Sequence, residues 1–232
     1  MFTPTALNTV RRMKDRASYD EASVHTVLDH GLIAHVAVTI PSSLSGSSDY
    51  LEDWPTVLPM VYGRKENIIY LHGYVSGRLM KALSGEPGCV KAALTVTLVD
   101  GLVLAVSPFN HSMNYRSVCV FGYPELVEDQ EEKEEALRVI TNHAFKADRW
   151  GSTRETNKIE YQSTRVIRLD IETASVKKRE GQAKDDEADK GQDVYAGVLP
   201  IVTKYGRAEQ AEYSKANLPE YISRMEGSEV HQ

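Results

Sequence analysis

The sequence is poor in cysteine and contains no long apolar segment. Its 232 residues include two cysteines, Cys89 and Cys119, which are too few for a disulfide scaffold. Because both lie in apolar stretches, we expect buried thiols in a reducing cytosol and hence a cytoplasmic protein. No apolar run approaches the ~20 residues that a membrane span requires. The cations between Arg11 and Arg16 are not followed by the apolar segment of a secretory signal.

Several nucleotide and metal motifs are also missing. The sequence has neither a G-x-G-x-x-G pattern nor a P-loop, and it lacks the helices that a parallel nucleotide-binding sheet needs between its strands. Cysteine and histidine are not clustered, which argues against a structural zinc site. The net charge of −6 argues against a general nucleic-acid-binding surface, although it is compatible with a local basic pocket. We expect neither nucleic acid nor a membrane as a partner.

The composition is that of an ordinary soluble globular chain, with 41% hydrophobic and 26% charged residues. We predict one large domain over residues 1–202 and a polar C-terminal tail over 203–232. Residues 177–193 are dense in Lys, Asp, Glu, Gly and Gln, so a mobile charged loop is predicted there. A Ser/Gly-rich loop is predicted at 41–49, and a short helix near Tyr221.

Short runs rich in Val, Ile and Leu predict most of the remaining elements. Strands are predicted at 32–40, 57–62, 68–74, 90–99, 102–106, 118–121, 125–127 and 165–171. Helices are predicted at 19–30, 76–83 and 131–145, the first beginning with a capping box formed by Ser18 and Glu21. The dipeptide Asp100–Gly101 indicates a hairpin turn. Many short strands with few helices predict a mainly β fold with peripheral α-helices, in the form of a β-barrel or sandwich.

The segment from His111 to Gly122 combines polar groups with an apolar strand pattern. In an extended chain, Ser112, Asn114 and Arg116 lie on one face. Such a row suits an anionic ligand with many oxygens, because arginine binds phosphate through two parallel charge-assisted hydrogen bonds. An edge strand whose polar residues face water is the alternative interpretation.

Five motifs occur in an order that resembles a known superfamily. They are Val57–Tyr62, Ile69–Gly73, Ser76–Arg78, Asp100–Leu104 and Asn114–Val118. The set is similar to the FMN-binding split-barrel superfamily, the pyridoxamine 5′-phosphate oxidase-like proteins. It is most similar to the flavin-nucleotide-binding branch that includes nitroimidazole-resistance proteins. The segment from Tyr195 to Pro200 fits that branch too, with Tyr where Trp is expected, and the likeness covers about Arg11 to Val202.

The resemblance implies a split β-barrel that forms a homodimer, with FMN in clefts at the subunit interface. It implies that the backbone of one strand meets the edge of the isoalloxazine ring, that a second strand faces the ring, and that a turn and a further strand hold the phosphate and ribityl groups. The residues so implied are Val57, Leu58, Pro59 and Met60 for the ring edge, His72 and Gly73 facing the ring, Ser76, Gly77 and Arg78 for the phosphate, and Asn114, Arg116 and Ser117 for the further strand. Tyr70 and Tyr115 are candidates for packing near the ring, and Ser112 joins the polar row.

The sequence also departs from the pyridoxamine phosphate oxidases proper. It has no counterpart of the C-terminal Arg-x-His pair that those enzymes use on their substrate, so vitamin B6 oxidation is not expected. Met80 stands where relatives often carry a basic residue, and Lys81 follows it. The implied function is an FMN-dependent oxidoreductase. It would pass electrons from a nicotinamide or another reductant to a small organic acceptor.

Three alternatives stay open at this point. His72 is the candidate catalytic residue, as a hydrogen-bond or proton donor near the flavin, but a histidine on a strand can equally be a core residue. The protein could be a non-catalytic flavin carrier or sensor. It could also bind heme, because some split barrels of this superfamily do, with His72 or His111 as the axial ligand.

Overall fold

The computed structural model describes residues 1–44 and 54–231, and the predicted loop at 41–49 lies mostly outside them. The strands are β1 (Ala17–Ser18), β2 (Ile33–Ile40), β3 (Trp54–Lys65), β4 (Ile68–Tyr74), β5 (Ala92–Leu104), β6 (Ser112–Gly122), β7 (Pro124–Leu126), β8 (Thr164–Asp170), β9 (Thr173–Arg179) and β10 (Gly197–Pro200). The helices are α1 (Glu21–His30), α2 (Arg78–Leu83), α3 (Gln130–Phe145), α4 (Lys158–Ser163) and α5 (Glu220–Met225). The predicted mainly β fold with peripheral helices is confirmed.

The chain forms two compact units. The first comprises Met1–Val96 and Ser117–Val176, and the second comprises Thr97–Arg116 and Lys177–Gln232. Nine strands contribute to the first unit, in the hydrogen-bonded order β1-β9-β6-β5-β2-β3-β4-β8-β7. The strands β5, β6 and β9 each continue from one unit into the other along the chain.

The core of the first unit follows the period-two pattern of its strands. In β2 the side chains of Ala34, Val36 and Val38 are buried and alternate with exposed or half-buried neighbours. Val36 pairs with Leu94 of β5 in antiparallel register, so the two apolar faces coincide. The short helix α2 contributes Leu83, which is fully buried. Burial of these side chains away from water is the main stabilising contribution to this unit.

Helix α3 packs against β3, β4 and β8 through a separate hydrophobic cluster. Its buried members are Tyr70, Val127, Ala136, Leu137, Ile140 and Val166. The approach is closest at Gly63 of β3, where an added Cβ would lie 2.7 Å from the backbone nitrogen of Ile140. Glycine is therefore required at this position by the contact with the helix backbone.

The ends of α1 are satisfied by side chains from near and far in the sequence. At its N-terminus, Asp20 accepts a hydrogen bond from the backbone N–H of Ser23 at 2.7 Å, so Asp20 is the cap and the predicted Ser18–Glu21 capping box is wrong. Ser18 instead donates its hydroxyl to Asp20 Oδ2. At the C-terminal end, the buried Tyr62 hydroxyl donates to the carbonyls of Leu28 and Gly31.

The predicted hairpin turn at Asp100–Gly101 is wrong. Strand β5 runs without interruption through both residues, from Ala92 to Leu104. Within the second unit, β10 pairs with this part of β5, placing Pro200 opposite Gly101. A Cβ at Gly101 would lie 3.0 Å from the carbonyl oxygen of Leu199. Glycine at this position therefore allows the backbone of the neighbouring strand to approach closely, as glycines inside strands often do.

The charged segment 177–193 begins in regular structure. Strand β9 continues through Lys177 and Lys178 to Arg179, whose side chain is buried. The predicted loop is therefore corrected at its start, because Arg179 has partners in the second unit that keep it in the strand. The predicted helix near Tyr221 is confirmed as α5. Separately, Tyr195 and the apolar residues around β10 are largely exposed.

One expectation about the thiols is wrong. Cys89 is exposed in the turn that precedes β5, whereas Cys119 in β6 is half-buried, and burial raises the pKa of its thiol. Gly88, which precedes Cys89 in this turn, adopts a positive φ of 76°, a conformation that glycine allows. None of the helices in the described ranges is long and apolar enough to cross a membrane.

Candidate functional site

Strands β3 and β4 separate after a short paired segment. They pair only between residues 62–65 and 68–71, with Leu71 opposite Tyr62. Over residues 54–61, β3 pairs with β2, whereas β4 continues from His72 beside β8. Among the described residues, one edge of β3 therefore has no strand partner over 54–61. The C=O groups along that edge, and the N–H groups of its residues other than Pro55 and Pro59, are available to a ligand.

The predicted ring-edge residues lie on this open stretch of β3. Val57, Leu58 and Pro59 are exposed, and Met60 is half-buried. Leu58 shares the core-facing side of the sheet with its partner Val36, yet it is 40% exposed because β4 has diverged from β3 there. An exposed apolar surface beside unpaired backbone groups is a suitable wall for a flat heteroaromatic ring.

His72 is the first residue of β4 beyond its pairing with β3. It lies opposite Val166 of β8, and its Nδ1 is buried without a hydrogen-bond partner in the described part of the chain. Burial lowers the pKa of His72, so the imidazole is neutral at pH 7. A buried nitrogen without a partner is unfavourable, and a bound ligand would satisfy it.

Gly73 allows α2 to close the end of β4. A Cβ at this position would lie 2.8 Å from Cγ of Met80, whose side chain is almost fully buried. Met80 thus packs against the backbone of β4, and this contact accounts for an apolar residue at position 80. The exposed side chain of the next residue, Lys81, is available to solvent instead.

The turn between β4 and α2 contains the three residues predicted to hold a phosphate. Val75 N donates to the carbonyl of Ser163, and Gly77 N donates to that of Tyr74, both at 2.9 Å. The N–H of Gly77 therefore shapes the turn rather than pointing to a ligand. Ser76 and Arg78 are exposed, and no ion pair of Arg78 occurs among the described residues, so both side chains are accessible to a ligand, and phosphate binding by them stays a prediction.

The polar row of β6 belongs largely to the second unit, where Asn114 is tied to Arg179. Asn114 is buried, accepts a hydrogen bond from Arg179 Nη1 and donates to the carbonyl of Gly181 at 3.2 Å. Arg179 also donates to the carbonyl of Gln182 at 3.0 Å. The amide and guanidinium thus organise the chain after β9. Arg179 was missed from the sequence because its charged neighbours obscured the end of the strand.

Arg116 is also engaged within the second unit. Its Nε and Nη2 donate to the two carboxylate oxygens of Asp100, at 3.1 and 2.7 Å. Both side chains are partly buried, so the positive charge is balanced locally. Phosphate binding by Arg116, implied by the resemblance, would have to compete with this ion pair, and it stays a prediction.

Four further predicted residues have different environments. Tyr70 lies in the cluster beneath α3 and is 3% exposed, so its ring packs in the core. Its hydroxyl donates to Glu132 Oε1 at 3.0 Å. Ser112 and Tyr115 are half-buried in the second unit, and Ser117 is half-buried in the first. Contacts of these residues with a cofactor stay predictions.

His111 differs from His72 in being exposed. Its Nδ1 lies 2.9 Å from the carbonyl oxygen of Ser107, which can only accept, so this nitrogen carries a hydrogen and donates it. No group of three or more His, Cys, Asp or Glu side chains is placed to hold a metal ion within residues 1–44 and 54–231.

The first unit therefore combines three chemical elements around the end of β4. An unpaired strand edge can match alternating donors and acceptors on a ring, a neutral imidazole can donate or accept one hydrogen bond, and a serine and an arginine can bind an anion. Such a set suits a ligand that joins a heteroaromatic ring to a phosphate.

Comparison with known proteins places this arrangement in a family. The family model for pyridoxamine 5′-phosphate oxidase matches residues 20–178. The structure of the flavocytochrome Anf3 from Azotobacter vinelandii is 31% identical over 98% of this chain and 100% of that one, with a TM-score of 0.83. An FAD and heme binding protein from Mycobacterium smegmatis is 27% identical over 93% of this chain and 98% of that one, with a TM-score of 0.80.

A more distant structure shares the fold alone. A candidate 5-nitroimidazole antibiotic resistance protein from Bacteroides thetaiotaomicron is 21% identical over 70% of this chain and 87% of that one, with a TM-score of 0.54. No curated protein matches the sequence. The family match covers more than half of the chain, and the first structural relative spans nearly all of it. The chain therefore belongs to the pyridoxamine 5′-phosphate oxidase-like family of split-barrel proteins, as its five ordered motifs predict.

Proposed function

We propose that this protein binds a flavin nucleotide along the open edge of β3 and functions as a flavin-dependent oxidoreductase. The observation on which this rests is the separation of β3 from β4, which leaves residues 54–61 without a second strand beside the buried, unpartnered Nδ1 of His72. The two relatives that span almost the whole chain support it, since one is a flavocytochrome and the other binds FAD and heme.

The backbone edge suits the flavin because of the ring's hydrogen-bonding pattern. The pyrimidine side of an isoalloxazine alternates acceptors and donors. The backbone C=O groups of the open edge, and its N–H groups other than the missing ones of Pro55 and Pro59, can pair with them without a buried charge. Val57 and Leu58 would cover the apolar part of the ring. A bound flavin supplies the redox chemistry, while the chain supplies binding, orientation and access.

His72 and the turn at Ser76 have distinct roles in this proposal. The neutral imidazole would make one hydrogen bond to the ring system, which would satisfy its buried Nδ1. The hydroxyl of Ser76 and the guanidinium of Arg78 would bind the phosphate next to the ribityl chain. FMN and FAD share this phosphate and the same ring. FMN is the cofactor predicted from the sequence, and the FAD-binding relative makes FAD the direct competitor.

A homodimer is part of the proposal. Trp54 and Val57, both on the unpaired stretch of β3, are 62% and 58% exposed, and Leu58 is 40% exposed. Large apolar side chains grouped on one strand indicate a surface that another molecule covers. A second copy of the chain would cover them and enclose the flavin, leaving a small organic acceptor to enter from the remaining opening.

The first experiment is the visible absorption spectrum of the purified protein, followed by titration with FMN and with FAD. Quenched flavin fluorescence with a saturable two-banded spectrum is expected, and the tighter nucleotide identifies the cofactor. Arg78→Gln should weaken binding roughly tenfold or more, because it removes a charge-assisted bond to phosphate. Arg12→Gln, an exposed arginine elsewhere, is the matched control. Uptake of neither nucleotide would refute the proposal.

Turnover separates an enzyme from a carrier or sensor. The flavin-loaded protein is mixed with NADH or NADPH and a nitroaromatic or quinone acceptor, and flavin reduction and reoxidation are followed spectrally. Repeated cycles support an oxidoreductase. Tight flavin binding without reduction by any of these reagents would favour the non-catalytic alternative.

Heme binding is the second candidate function, favoured by the neutral buried imidazole of His72 and by the heme-binding relative. A neutral imidazole nitrogen is the usual axial ligand of heme iron. Hemin titration of His72→Ala and His111→Ala variants tests it. Loss of the Soret shift in the His72 variant alone would assign the ligand to His72, and no Soret shift in the wild type would exclude this function.

A further inference from the structure

The first unit contains a cavity beside α3, apart from the proposed flavin site. It has a volume of about 640 Å³ and lies against the chain that links α3 to α4. A smaller cavity of about 230 Å³ adjoins it, and the two share Glu134 and Trp150 as lining residues. Neither cavity is lined by residues of β3 or β4, so both are separate from the proposed flavin edge.

Three carboxylates that form no ion pair within residues 1–44 and 54–231 dominate the charge of these cavities. Glu155 lines the large cavity, Glu131 lines the small one, and Glu134 lines both; all three are exposed. The lining contains two guanidiniums, and each is paired with a carboxylate. Arg154 donates to both carboxylate oxygens of Glu160, at 2.9 and 2.5 Å. Arg138 donates to both oxygens of Glu135, which also accepts a hydrogen bond from Lys65 at 2.9 Å.

The charge of Glu134 also acts on Tyr161, another lining residue of the large cavity. Burial is the first cause that raises the pKa of its phenol, and the negative charges of Glu134 and Asp129 raise it further. A site with this field favours a positive ligand and disfavours an anionic one.

Aromatic rings complete the lining. Trp150 is shared by the two cavities, and Tyr161 lines the larger one. The ammonium of Lys133 lies 4.2 Å from the centroid of the Tyr161 ring and donates to the Tyr161 carbonyl at 2.9 Å. The wall thus already holds one cation against an aromatic face, an interaction that is strongest for tryptophan.

We propose that these joined cavities bind an elongated organic polycation of the linear polyamine class. One ammonium group would lie between Trp150 and Glu134, where the cavities meet. The remaining groups would extend toward Glu131 on one side and Glu155 on the other. The inference goes beyond the proposed flavin function and does not depend on it, because the lining belongs to α3, α4 and the chain between them.

Spermidine is the probe, and Trp150 is the reporter. The chain has two tryptophans, so Trp54→Phe leaves Trp150 as the single emitter. Spermidine titration at constant ionic strength should change this emission saturably, with n-butylamine at least tenfold weaker. Glu134→Gln should weaken binding at least tenfold, and Glu155→Gln several-fold. Glu125→Gln, an exposed carboxylate of β7 outside both cavities, should leave the affinity unchanged.

Three results would overturn the proposal. The first is no saturable change in Trp150 emission. The second is equal weakening by Glu134→Gln and Glu125→Gln, which would indicate general charge screening. The third is displacement of spermidine by FAD, which would assign the cavity to the cofactor. Circular dichroism checks that the Glu134 variant is folded, as its exposed, unpaired side chain implies.

Discussion

The hydroxyl of Tyr70 donates a 3.0 Å hydrogen bond to Glu132 Oε1 and so joins the centre of β4 to α3. The same oxygen accepts from Arg168 Nη1 at 3.0 Å. Burial, followed by the Glu132 contact, raises the pKa of Tyr70 to about 12. Tyr70→Phe should therefore lower the free energy of unfolding by about 1 kcal/mol, measured by urea denaturation. Tyr213→Phe, at an exposed tyrosine, is the control, and equal effects would contradict a role for the bond.

The contact between β3 and α3 predicts an intolerant glycine. At Gly63, an alanine Cβ would lie 2.7 Å from both the nitrogen and the Cα of Ile140, which are backbone atoms and cannot rotate away. Gly63→Ala should cost about 2–3 kcal/mol of stability. Gly206→Ala, which has open space around it, should change stability by less than about 0.5 kcal/mol. Similar melting temperatures for the two variants would show that α3 can move.

His143 predicts a specific dependence of stability on pH. Its Nε2 lies 2.8 Å from the Gly31 carbonyl oxygen, and its ring contacts that of Tyr62. Burial first, and the charge of Lys146 next, lower the pKa of His143 from 6.5 to about 4. Between those pH values the unfolded chain binds a proton that the folded chain does not. The stabilising contribution is therefore complete above pH 6.5 and is lost as the pH falls to 4.

The size of this effect is about 3 kcal/mol. Urea denaturation of the wild type and of His143→Gln at pH 7 and pH 4.5 isolates it from the carboxylates, which both proteins share. The wild type should lose about 2–3 kcal/mol more than the variant over this interval. Parallel stability curves would mean that the imidazole titrates normally in the fold.

The cap of α1 gives a prediction that separates two candidate residues. The Ser18 hydroxyl, followed by the backbone and side chain of Ser23, lowers the pKa of Asp20 to about 2. Asp20→Ala should reduce stability by about 1 kcal/mol, which corresponds to roughly 2–4 °C in Tm. Ser18→Ala should have a smaller effect, because Ser18 acts only through Asp20. The reverse order would restore Ser18 as the cap.

Much of the fold follows from local patterns in the sequence. The alternation around Val36 predicts β2 within one residue, and the apolar stripe of Leu137 and Ile140 predicts α3. The hairpin prediction at Asp100–Gly101 was wrong because glycine occurs both in tight turns and where two strands approach closely. Only the position of β10 opposite Gly101 distinguishes the two cases. Arg179 was missed because a buried guanidinium depends on distant partners such as Asn114.

The sequence indicates where the candidate site lies but not which contacts its residues make. The motifs around Val57, His72 and Arg78 indicate the region where β3 and β4 separate, yet the sequence cannot show that Gly77 N–H is used within its own turn. Nor could it show that Asp100 neutralises Arg116. The cavity at Trp150 is lined by residues of α3 and of the chain that follows it. No residue spacing in the sequence predicts that these residues lie around one cavity.

The discontinuous second unit has a consequence for shortened forms of the chain. Its residues come from an internal segment, 97–116, and from the C-terminal part. Ending the chain at Val176 would remove Arg179 from Asn114 and remove β10 from the edge of β5. The edge at 101–104 would then be open to strands of other molecules, so such a fragment should aggregate more readily than the 232-residue chain.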